Sequence, residues 1–184
     1  MNAESIREIR RRQNNEYWRC LLMAIEAADL FTVETAAALE SRLDDSSLEI
    51  DTRISLIGYY TFRRYEVPEL IQPRAEHIKW MVKHFPAHPF MKSNLVSLSP
   101  SVDSLDLYVE VGAAWLELLK KADTNCYALF NGARFFFTAK KELSERFLVC
   151  GISVTADNAM FKDELVELYK SWFESLPEAT GTNK

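Results

Sequence analysis

The sequence predicts an all-α protein of antiparallel helical hairpins, and three observations lead there. Glycine and proline are sparse, five and six of 184 residues, while strong helix formers (Ala, Leu, Glu, Lys and Arg) fill most of the long segments. Apolar residues in those segments recur at spacings of three and four, the period of a half-buried helix face. Cap and stop signals punctuate them at intervals that suit paired helices. With 48% apolar composition the chain can bury a core without disulfide or metal staples. A single domain is expected over residues 1–176, followed by a flexible tail, 177–184.

The first helix is expected from Ala3 to Ala28, charged at its start and apolar from Tyr17 onward. Helical spacing puts Trp18, Leu21, Leu22, Ile25 and Ala28 on one face, with a break expected near Asn14 and Asn15. Thr32 is the expected cap of a second helix that buries Ala36, Leu39 and Leu43, carries Glu40 at the flank of that stripe and ends at the polar run Asp44–Ser47. A third helix starts at Asp51 or Thr52 and surrounds Gly58 with apolar residues. After a connection near Val67–Pro73, Pro73 falls in the first turn of the next helix, where its missing N–H costs nothing. That helix carries Ala75, Ile78, Trp80, Met81 and Val82, stops before Pro86 and completes an antiparallel pair.

Between His88 and Ser104, Pro89, Pro100 and five serines rule out a continuous helix. The stretch is too apolar for a free linker and reads as a surface loop or an irregular brace. From Asp103 or Ser104 a helix resumes through Leu107, Val111, Ala114, Trp115 and Leu118. Thr124 is the expected cap of the next helix, residues 138–141 turn, and Glu142 to Cys150 return alongside it. A final helix from Ala159 to Leu176 places Phe161, Leu165, Leu168, Trp172 and Phe173 near one stripe.

The charge balance, 22 Lys and Arg against 27 Asp and Glu for a net of -5, favours solubility and exerts no global pull on nucleic acid. Arg7, Arg10, Arg11 and Arg12 form the strongest basic run. Glu4, Glu8 and Glu16 interrupt its field, so it reads first as a solvated helix start and second as a contact for RNA, DNA or an acidic protein. Cys20, Cys126 and Cys150 are widely spaced without a C-x-x-C pair, which suits a reducing compartment. An early charge-rich start argues against a secretion signal or a lipid anchor, and no uncharged stretch suffices to cross a bilayer. Cytoplasmic location without membrane association is the expectation.

Catalytic signatures are missing from the sequence. It contains no G-x-S-x-G, G-x-x-x-x-G-K or G-x-G-x-x-G pattern, and Cys150 reads as a buried core thiol rather than a nucleophile. His77 and His84 share a helix face that Pro86 ends before His88. With no cysteine or H-E-x-x-H arrangement nearby, capping or surface roles outweigh metal binding. Hence no catalytic, cofactor or metal residue is expected, and a small helical enzyme, or an enzyme subunit acting with a partner, stands as the alternative.

From Asn125, Gly132 takes a small position where two helices approach, Phe135 follows at a large one, Ser144 takes a second small one, and Leu148 and Gly151 lie on the returning helix. This pattern resembles the tetratricopeptide repeat of about 34 residues. Ala156 stands where that repeat has its terminal proline, and Ala128 where it has a large residue. A second, longer copy begins at Asp51, with Gly58, Ile78, Met81 and Pro86 at matching positions and extra residues around Tyr65 to Gln72. The matching segments, 51–86 and 125–157, cover less than half of the chain.

The resemblance implies a short right-handed stack of about six to eight helices whose first helix in each pair lines a concave, partner-binding surface. Transferred to this chain, that surface selects Thr52, Ser55, Tyr59, Phe62 and Arg63, then Cys126, Leu129, Ala133, Phe136 and Phe137. Ordinary packing accounts for most of Phe135, Phe136 and Phe137, since three consecutive bulky residues cover a broad arc. Arg63 and Arg134 read as wet surface residues or as grips for an acidic side chain. Helical prenyltransferase alpha subunits also stack tryptophan-bearing pairs, but their repeat differs from this chain around Trp80 and Trp115. The function expected is reversible recognition of a protein or peptide without catalysis, by an adaptor or by an inhibitory protein of the antitoxin or immunity type. Oligomeric state is left open.

Overall fold

In the computed structural model, residues 3–43, 49–121, 124–156 and 158–175 are described, with side chains from Arg7 onward. The expected stop at Asp44–Ser47, Leu176 and the 177–184 tail lie outside the described residues. Among those described, all regular structure is helical, in eight α-helices: α1 (Ala3–Leu30), α2 (Val33–Glu40), α3 (Ile50–Arg63), α4 (Ile71–His84), α5 (Leu105–Leu118), α6 (Cys126–Phe136), α7 (Lys141–Val154) and α8 (Ala159–Glu174). Neighbours in sequence pack in hairpin-like fashion, α3 on α4, α4 on α5, α6 on α7 and α7 on α8, while α1 lies along α3.

Several boundaries follow local chemistry. Thr32 caps α2 by accepting a bond from the Thr35 amide at 3.2 Å. Pro73 sits in the first turn of α4, which ends at His84, ahead of Pro86. Asn125 rather than Thr124 caps α6: its Oδ1 accepts from the Tyr127 amide at 2.8 Å. The Thr124 hydroxyl instead donates to the Leu118 carbonyl at 2.6 Å and closes the end of α5. No break occurs at Asn14 and Asn15; α1 runs through both, and each side chain is exposed. Exposed asparagine costs a helix interior well under about 1 kcal/mol, too little to interrupt one held by packing on its far side.

The buried face of α1 also differs from the expected one. Cys20, Ala24, Ala27 and Ala28 are buried, whereas Trp18, Leu22 and Ile25 point outward and are 53%, 56% and 40% exposed. Close helix crossing is the cause. Gly58 of α3 lies against the backbone of Ala24, so near that a methyl group at Gly58 would overlap the Ala24 carbonyl. Only small residues fit at such a crossing. On α8, Phe161 and Leu168 are buried as expected, but Phe173 is turned out to solvent.

One hydrophobic cluster runs from Cys20 on α1 to Leu168 on α8. Its carboxy-terminal part is aromatic: Tyr108 stacks on Phe135, with ring centroids 5.1 Å apart, and Phe136 on Phe147 at 5.7 Å. Gly132 of α6 faces the Phe147 ring of α7, the close approach expected of that glycine, and Gly151 of α7 faces Phe161 of α8.

The segment between α4 and α5 is a brace. Two short 3-10 turns, Pro89–Lys92 and Asn94–Val96, bury Phe90, Met91 and Val96 against the helices. Arg74, with no exposed surface, fastens them. Its guanidinium donates to Thr61 Oγ1 (2.8 Å), Asp103 Oδ1 (3.1 Å) and the carbonyls of Leu95 (2.9 Å) and Ser97 (2.7 Å). Asp103 Oδ2 in turn accepts from the Ser99 amide at 2.8 Å. Burial lowers the Arg74 pKa to about 10, which leaves it charged at neutral pH.

Candidate binding surfaces

The ten residues expected to form a partner-binding surface are divided by the fold. Ser55, Tyr59, Leu129, Ala133 and Phe136 are buried, Thr52, Arg63, Cys126 and Phe137 are partly covered, and Phe62 is exposed. The two sets do not converge: Tyr59 borders a cleft between α2, α3 and α4, while Cys126 borders a separate cleft between α1, α6 and α8. The sequence pattern cannot report this separation, because a helix wheel fixes rotation only relative to a neighbour and α1 claims one side of α3.

The cleft at Cys126 has a volume of about 700 Å³. Ile9, Tyr127, Phe130 and Met160 give it apolar surface. Arg10 and Lys92 stand on its α1 side and Asp163 and Glu164 on α8, so its two walls carry opposite charge. Glu164 is tied to Arg134 at 3.0 Å. Lys92 lies over the Tyr17 ring, 4.4 Å from its centroid, and burial, aided by the charge of Arg134, lowers its pKa.

A polar network borders the other cleft. Glu40 at the end of α2 accepts through Oε1 from the Tyr60 hydroxyl at 2.6 Å and from His77 Nε2 at 2.7 Å. Arg53 NH1 lies 3.2 Å from His77 Nδ1. A guanidinium can only donate, so Nδ1 is the acceptor and Nε2 carries the proton given to Glu40. Arg53 also lies over the Trp80 ring at 4.1 Å and 3.7 Å from Glu49. His77 was expected to cap or to face solvent; it is buried because α3 and α2 supply partners for both ring nitrogens. With both nitrogens engaged, this imidazole orients Glu40 and offers no free lone pair for general-base work. A mid-helix histidine in the pattern carries no signal of that environment.

Near the middle of α1, Glu16, Cys20 and His88 bring three potential ligand atoms within 4.8 Å of one another. Their chemistry does not fit a cation. His88 Nδ1 accepts from the Phe90 amide at 3.2 Å, as the cap of the first 3-10 turn, which leaves the proton of the neutral ring on Nε2, facing Glu16 at 3.7 Å. Metal at Nε2 would demand the other tautomer and break the cap. Arg19 already places a positive charge 3.5 Å from Cys20 Sγ. Burial, reinforced by Glu16, pushes the Cys20 thiol up to about 12, far from the thiolate a metal requires.

No family model, curated protein or solved structure matches the chain. Among the described residues no helix is long and apolar enough to cross a membrane.

Proposed function

We propose that this protein is a non-catalytic recognition module, an adaptor or an inhibitory partner, that holds a peptide segment of another protein in the cleft between α1, α6 and α8. One observation carries the reading: an open cleft of about 700 Å³ with an aromatic and aliphatic floor between oppositely charged walls. Apolar clefts with a few placed polar groups are the usual form of ligand sites. Opposed charge fixes the direction of a bound chain more than it adds affinity. Of the α6 residues that the tetratricopeptide-like pattern selects, Cys126 alone borders this cleft; Tyr127 and Phe130 join it from the same helix.

Selection of displayed peptides on the full chain tests the proposal. Peptides enriched on the wild type should bind at least about tenfold more weakly to the double variant Ile9→Asp, Asp163→Lys, which alters floor and wall without entering the core. They should bind unchanged to Trp18→Ala, Leu22→Ala on the outward face of α1. The reverse pattern, loss on α1's outer face with the cleft variant intact, would move the recognition surface to that stripe and end the cleft reading.

A further inference from the structure

The cleft between α2, α3 and α4 measures about 770 Å³, within the range of small-ligand sites. Val33, Ala36 and Ala37 of α2 form one side, and Tyr59 of α3, Leu70 of the connection and Pro73 of the first turn of α4 form the rest of the apolar lining. The charged side chains on its border are not equivalent. Arg53 is engaged by His77, Glu49 and the Trp80 face. Glu76 pairs with Lys79 at 2.7 Å. Glu40 is different, because both of its hydrogen bonds end on Oε1, and Oε2 accepts none from any described residue. Burial works to raise the pKa of this carboxyl, but the bonds from His77 and Tyr60, with the charge of Arg53, outweigh it and lower the pKa, so the group is ionised at neutral pH. The Glu40 side chain is 34% exposed, so Oε2 is open to solvent, and an ammonium carried on an apolar body matches it: the charge meets the carboxylate while the body covers the apolar slot.

We propose that this cleft is a second binding site, for an organic cation in which a primary ammonium reaches Glu40 Oε2 and an aliphatic or aromatic body lies between α2 and the Tyr59–Leu70 wall. The site is separate from the α1–α6–α8 cleft and does not depend on that reading. Tyr60 and His77 position the carboxylate by filling its Oε1, which leaves Oε2 to the ligand. The apolar body accounts for the walls, which a hydrated metal ion would not use.

Calorimetric titration of the full chain with 4-phenylbutylamine, 4-phenylbutanol and 4-phenylbutyrate separates charge from shape. The amine should bind at least about tenfold more tightly than the alcohol, the gain of a charge-assisted over a neutral hydrogen bond, and the acid least. Glu40→Gln keeps an acceptor for Tyr60 and His77, and should bring amine and alcohol together. Ala37→Trp, at an exposed position on α2, should fill the slot and abolish binding of all three. An acetylated Phe-Lys dipeptide amide run beside them identifies the source: tighter than the free amine means a basic side chain of a partner, weaker means a small amine. Equal binding of amine and alcohol to the wild type, no amine binding, or amine binding that survives both variants would overturn the proposal.

Discussion

Helices α3 and α4 grip the 85–104 brace through buried polar groups, whereas α6, α7 and α8 meet through aromatic rings seated on glycines. In the first region Arg74 alone makes four directed hydrogen bonds, and the α1–α3 crossing brings backbone against backbone at Gly58. In the second, Phe136, Phe147 and Phe161 fill space left by Gly112, Gly132 and Gly151. Directed bonds hold one geometry and fail abruptly when a partner is lost; ring packing tolerates small shifts. The amino-terminal region is therefore the brittle one.

The sharpest break is expected at Arg74. Arg74→Met leaves Asp103 buried beside Arg64 as its one cation (2.9 Å) and removes the donor from the Leu95 and Ser97 carbonyls, so stability should fall by about 4 kcal/mol. Urea unfolding measures this. Adding Asp103→Leu should restore part of the loss, because the buried carboxylate, left with Arg64 as its one cation, goes with it. No recovery would mean that Arg74 acts by filling volume, as the rings do.

Next in size is the contrast between two glycines. Gly58→Ala drives a methyl group into the Ala24 carbonyl, and backbone cannot rotate away, so a loss of about 3 kcal/mol is expected. At Gly112 the added methyl would stand 3.2 Å from a Phe136 ring carbon, which can yield by a small ring shift. Gained helix propensity offsets that strain, leaving Gly112→Ala within about 1 kcal/mol of wild type. Equal losses would erase the distinction between the two regions.

A smaller effect distinguishes the polar side by pH. Burial depresses the pKa of His88 below its ordinary 6.5, although the Glu16 charge opposes the shift. The unfolded chain then takes up the proton first, so stability is full above about pH 6.5 and declines as pH falls toward the folded value. The lowered pKa of Glu16 has as its main cause the hydrogen bond from Arg19, and its contribution disappears only below 4.5, a separate window. His88→Gln should flatten the decline between about pH 7 and 5; an unchanged slope would place the titration elsewhere.

How far the sequence revealed these regions depends on the interaction. Thr32, Pro73 and Gly132 were legible because a cap, a missing amide and a close helix approach each need particular residue types. Arg74 was not: a mid-helix arginine reads as solvated unless the brace that meets it is known. The outward turn of Trp18, Leu22 and Ile25 was hidden for a related reason. Size-based apolar patterns favour large side chains, while the Gly58 crossing selects the Ala24 stripe. Cys126 and Tyr59 could be named as surface candidates, but the sequence held no sign that they would face different clefts. Glu40 was visible only as a residue flanking a stripe, since its partners come from two other helices.

Cysteine chemistry supplies the smallest perturbation and joins the comparison to function. Cys20, buried and raised to about 12, has almost no thiolate at pH 8, whereas Cys126 and Cys150 are only partly covered. Iodoacetamide on the folded protein should therefore modify Cys126 and Cys150 and spare Cys20, with all three reacting in denaturant, as read by mass spectrometry. Labelling of native Cys20 would contradict the closed α1–α3 crossing. Since Cys126 borders the α1–α6–α8 cleft and Cys150 does not, a peptide selected on this protein should slow alkylation at Cys126 alone. Equal protection of both would point to a global change in opening rather than to occupancy of the cleft, and unchanged rates at both would place the peptide on another face.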